Sequence, residues 1–115
     1  MSMYLSCDLL VFSARQVATM RAALAFDGTV PEMPPVQDVV EMELGDDHGA
    51  WRFEIRQQHL PELEAFVLAL CPLPHDDASL EWYAEHRSML GGMRVNHENG
   101  GVARWCGPYY GARGG

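Results

Sequence analysis

The tightest constraint on the fold is a change of hydrophobic period at residue 13. Leu5, Cys7, Leu9 and Val11 fall on every second position, with Tyr4, Ser6 and Asp8 between them. That period places one apolar and one polar face on a strand over residues 3–12. Leu10 and Phe12 make its far end apolar on both sides, which suits an interior strand. From Ser13 the spacing turns helical. Ser13 and Gln16 stand in capping-box relation, and Val17, Met20 and Leu24 recur at helical intervals among alanines. Asp27-Gly28 is a natural stop, and Thr29 to Pro35 is a proline-bearing connector. A strand feeding directly into an amphipathic helix calls for a sheet against which that helix can pack.

The rest of the chain supplies such a sheet. Val40, Met42 and Leu44 alternate with Glu41 and Glu43. Trp51, Phe53 and Ile55 alternate with Arg52, Glu54 and Arg56. The turn-forming run Gly45-Asp46-Asp47-His48-Gly49 joins them as a hairpin. Each of these strands has one apolar and one charged face, and Glu41 and Glu43 are within cross-strand reach of Arg52 or Arg56. Residues 59–70 read as a second helix, with Pro61 in its first turn and Leu60, Leu63, Val67 and Leu70 as its stripe. Residues 76–90 fit a helix by their Asp76 or Asp77 and Gly91-Gly92 boundaries. They fit a strand by the period of Leu80, Trp82, Ala84 and His86. The strand reading gives the order β-α-β-β-α-β. The expectation is therefore an α+β, ferredoxin-like sandwich spanning residues 1–106 as one domain. Its last part is a hairpin over 93–106 turning at Asn99-Gly100. Eight of the 11 glycines lie in the last 25 residues, and 107–115 reads as an irregular tail.

Two C-terminal motifs resemble known ones. Trp105-Cys106-Gly107-Pro108 is similar to the thioredoxin redox motif, but Tyr109 stands where that family has its second cysteine. The thioredoxin motif also opens a long helix, and only six residues follow Tyr109. Arg113-Gly114-Gly115 resembles the ending of ubiquitin and related β-grasp carriers. That family starts with a hairpin, whereas this chain starts with strand and helix.

Other function classes are narrowed by what is missing. The chain has 115 residues with eight arginines and no lysine, so Schiff-base and P-loop lysine chemistry is excluded. No G-x-S-x-G or G-x-G-x-x-G occurs. His48, His59, His75, His86 and His97 lack the short spacings of structural zinc, so no metal and no cofactor is expected. A hydrolytic or metal-dependent enzyme built on the His, Cys and Asp clusters is the first alternative. A carrier acting through Gly114-Gly115 is the second. Cys7, Cys71 and Cys106 form no C-x-x-C pair. With no basic, apolar leader at the start, they point to a reduced, cytoplasmic protein. No apolar run approaches the length of a membrane span.

Charge carries the remaining signal. The net charge is −8, which disfavours direct binding to nucleic acid. It is unevenly spread: residues 27–86 hold 14 acids and two bases, net −12, whereas the flanks are +1 and +3. A solvated acidic surface aids solubility. The functional reading is a non-catalytic module that covers a basic surface of a macromolecular partner, a nucleic-acid-handling protein being one candidate. In type, though not in sequence, this resembles small acidic immunity proteins, antitoxins and inhibitors, some of which imitate DNA. The expected contact residues are Asp38, Glu41, Glu43, Asp46 and Asp47 at the first hairpin, with Asp76 and Asp77 as a second group. Trp51 or Trp82 is the expected aromatic anchor where exposed. An open sheet face or edge also leaves room for a homodimer.

Overall fold

The computed structural model describes residues 3–25, 33–84 and 87–106. Six strands and two helices follow the chain in the order β1 (Tyr4–Val11), α1 (Ala14–Ala25), β2 (Gln37–Leu44), β3 (Gly49–Arg56), α2 (Leu60–Ala69), β4 (Asp77–Tyr83), β5 (Met89–Asn96) and β6 (Gly101–Cys106). This is an α+β fold with one six-stranded sheet, ordered β2-β3-β1-β4-β5-β6. Every neighbouring pair is antiparallel.

β1 lies inside the sheet, between β3 and β4, as its apolar far end suggests. Leu5, Cys7, Leu9 and Val11 are all at most 1% exposed. They share one core with Val17, Met20 and Ala23 of α1, Trp51, Phe53 and Ile55 of β3, and Leu63, Phe66 and Val67 of α2. Both helices therefore cover the same face of the sheet. The opposite face carries Ser6, Asp8, Arg52, Glu54, Ser79, Glu81 and Tyr83, all half-buried against one another.

Within residues 76–90 the strand reading holds over Asp77–Tyr83, where β4 stops. The hairpin expected over 93–106 starts earlier, at Met89. Its turn is longer than the two residues Asn99-Gly100 imply: His97–Asn99 form a 3-10 turn, and Gly100 and Gly101 take φ of 106° and 97°. Only glycine adopts such angles without strain. Gly92 answers a different need. A Cβ there would lie 2.4 Å from the Trp105 ring, so its lack of a side chain lets the indole rest on β5.

One buried amide joins the elements at the α1 end of the sheet. Gln16 is 1% exposed. Its Oε1 accepts the Phe12 N–H at 3.1 Å and the Ser13 hydroxyl at 3.0 Å, while Ser13 Oγ accepts the Gln16 N–H at 3.2 Å. The expected capping box thus forms with its return bond moved one residue back. Gln16 Nε2 donates to the carbonyls of Leu70, at 2.9 Å, and Asp77, at 3.1 Å. Gln16→Leu keeps the size but leaves these groups without that partner. Urea unfolding is expected to show a loss of about 3 kcal/mol; a loss under about 0.5 kcal/mol would contradict this role.

Candidate functional site

β2 is an edge strand, and an edge has one unpaired side. Its register with β3 shifts between Gln37 and Val40 and again between Glu41 and Glu43. Asp38 takes a φ of 53°, unusual for a residue with a side chain. These irregularities correct the expectation of a strand with one buried apolar face. Val39, Val40 and Met42 are 41, 53 and 48% exposed, and only Leu44 packs partly against the core. Strand-period reasoning fails at β2 because each slip changes which face the following residues occupy.

Five of the expected contact residues are brought together here. Asp38, Glu41 and Glu43 lie exposed on β2, and Asp46 and Asp47 lie exposed in the turn that follows. The turn is closed by the Gly45 N–H donating to the His48 carbonyl at 2.9 Å. The His48 imidazole sits between Asp47 Oδ1 at 3.1 Å and Glu43 Oε1 at 3.3 Å. Asp47 foremost, with Glu43, holds His48 above its ordinary 6.5. The same contact holds Asp47 below 3.8. The histidine's contribution to the turn is thus fully present below 6.5 and fades as pH rises through its raised pKa.

Asp76 and Asp77 stand elsewhere, with β3 and β1 lying between their strand and β2. Asp76 is 3% exposed; its carboxylate accepts from Arg15 and, at 2.8 Å, from the Leu73 N–H. Burial alone would raise its pKa, but these two donors hold it below 3.8. Asp77 accepts from Arg94 at 2.7 and 3.0 Å and from Asn96 at 3.1 Å. Both carboxylates are thus already engaged inside the fold. Trp51 is fully buried and presents no surface, and Trp82 is half-buried. The exposed apolar atoms at the acidic edge come from Val39, Val40 and Met42 instead.

The cross-strand pairs expected between Glu41 or Glu43 and Arg52 or Arg56 do not form. Arg52 donates to Asp8 at 2.9 and 3.3 Å. Arg87, at a φ of 64°, adds a bond to the same carboxylate at 3.0 Å and covers the Tyr83 ring. Burial opposes ionisation of Asp8, but the two arginines outweigh it and hold the carboxyl below 3.8. No motif announces this cluster, because Asp8 and Arg87 are 79 residues apart.

The groups suited to catalysis are dispersed. Burial, with Asp8 nearby, pushes the Cys7 thiol up to about 12. Burial, with Asp76 and Asp77, pushes Cys71 to about 11. Both are therefore thiols and not thiolates near neutral pH. Cys106 is exposed at the end of β6. Gly107 to Tyr109 and the Arg113-Gly114-Gly115 ending lie outside the described residues, as does His86. His59 contacts Glu62 at 3.0 Å and His97 contacts the Cys71 carbonyl at 3.0 Å. Among the described residues no three of His, Cys, Asp and Glu are grouped to hold a metal ion. Two shallow hollows, of about 230 and 150 Å³, lie beside β6 and beside Pro35–Gln37; neither is lined by serine or cysteine. No described helix is long and apolar enough to cross a membrane.

Comparisons with protein-family models, with curated proteins and with solved structures gave no match to this chain.

The depressed pKa of Asp76 fixes the sign of an acid effect. Its contribution is present above 3.8 and is lost as pH falls through the lower folded value. Asp76→Asn is expected to cost about 2 kcal/mol at pH 7, with the gap to wild type closing towards pH 2. Urea titrations at several pH values measure this; a gap that stays constant with pH would contradict it.

Proposed function

We propose that this protein is a non-catalytic binding module whose acidic edge, β2 and the turn after it, covers a basic surface of another protein. One observation carries the reading: β2 leaves Val39, Val40 and Met42 exposed among Asp38, Glu41 and Glu43. Isolated surface charges are common, but exposed apolar side chains set among like charges match the anatomy of an interface. The charges steer and orient a basic partner, and the apolar atoms gain from burial once it has docked. Of the two arginines in the acidic middle of the chain, Arg52 is held by Asp8 and Arg56 lies over the Tyr4 ring at 5.1 Å. Neither arginine pairs with an acid of β2 or of the turn after it, so those carboxylates remain open to a partner. Asp76 and Asp77, engaged internally, are dropped from the proposed surface.

The reading includes two further points. The first six elements form a ferredoxin-like β-α-β-β-α-β unit, supported by the order β2-β3-β1-β4, with β5 and β6 as an added hairpin. The location is cytoplasmic, supported by free thiols at Cys7, Cys71 and Cys106.

The test uses the whole protein as bait in extracts of its native host. Basic proteins are expected to be retained and then released by salt. The fourfold variant E41R/E43R/D46R/D47R should lose them by at least about 100-fold, since each reversed charge opposes the partner's field. Retention of the same proteins by the variant, with the same salt dependence, contradicts the proposal.

A further inference from the structure

The two edges of the sheet are built differently. β2 has a slipped register, a residue at positive φ and three acids. Charges and bulges are the means by which edge strands resist the addition of another strand. β6 has neither bulge nor unbalanced charge. It pairs with β5 in unbroken register, from Gly101 opposite Asn96 to Cys106 opposite Gly91. Its one charged residue, Arg104, is drawn to the helix face by Glu64 at 3.2 Å. Val102 is 40% exposed and Ala103 is exposed beside it. Among the described residues, the outer side of β6 is thus a regular run of backbone whose one charged side chain is paired.

We propose that β6 seats a second copy of this chain, strand against strand across a two-fold axis, so that two six-stranded sheets become one of twelve. A two-fold axis normal to the sheet makes the pairing antiparallel and self-complementary, with the same strand serving on both sides.

Charge selects a second copy over other occupants. At −8 the chain repels itself over most of its surface. The more positive of the two flanks is this end, where residues 87–106 hold three arginines and one acid. Arg94 is neutralised by Asp77 and Arg104 by Glu64. Two copies therefore meet here without opposed fields, whereas two β2 edges would set Asp38, Glu41 and Glu43 against their own counterparts. A basic segment suited to β2 finds no free acid on β6.

Light scattering on the full chain, coupled to gel filtration over a range of concentrations, tests this. Wild type is expected at about 26 kDa, twice the 12.9 kDa chain, at about 200 µM, and to shift towards monomer on dilution. V102E/A103E places glutamates opposite glutamates and should give monomer at every concentration. Both positions are exposed, and circular dichroism checks that the variant is folded. V40E, on the other edge, should remain dimeric. A monomeric wild type overturns the proposal, as does a V102E/A103E protein that stays dimeric or a V40E protein that does not.

Discussion

The hydrogen bonds of one side chain, Gln16, hold this fold in register. All four hydrogen-bonding positions of its amide are used: two donors to carbonyls at the end of α2 and the start of β4, two acceptances at the start of α1. The neighbouring Arg15 grips the same connection from outside through Asp76, which in turn holds Leu73. The link from α2 to β4 is thereby tied to the end of β1. β4 is delivered to one side of β1, β3 takes the other, and β2 is left at the margin. A buried amide does this only when fully satisfied, because in a low-dielectric interior each missing partner is expensive.

The open edge is a consequence of that arrangement. Both helices are committed to the face over β1, β3, β4 and β5, and β2 keeps only Leu44 against the core. Its charge is preserved by a competition one strand away. Arg52 stands opposite Val40 on one side and Asp8 on the other, and it bonds to Asp8. Asp8 is the more buried of the carboxylates within its reach, and attraction is stronger where water is excluded. With Arg52 and Arg87 spent on Asp8, it is His48 that meets the acids of this edge, through Glu43 and Asp47.

What was legible in the sequence follows from which contacts are local. β1, α1 and α2 are set by period, capping and proline position, and they appear where those signals put them. The five acids of the first hairpin gather because chain proximity gathers them. Asp76 and Asp77 carry the same charge in sequence, but their partners Arg15 and Arg94 are brought in by the fold. The exposure of Val40 and Met42 depends on strand slips that no alternating pattern encodes. The two arginines on Asp8 converge across three strands' worth of chain, beyond the reach of any motif. Gln16 showed its capping role, which is local, and hid its contacts to Leu70 and Asp77, which are not.

Native-state amide hydrogen exchange tests the central claim that a Gln16-anchored core leaves β2 as an open edge. The Phe12 amide, bonded to Gln16, and the interior amides of β1 should exchange only through global unfolding, while the outward amides of β2 exchange faster by about 100-fold or more. Protection on β2 equal to that on β1, or rapid exchange at Phe12, would contradict the account.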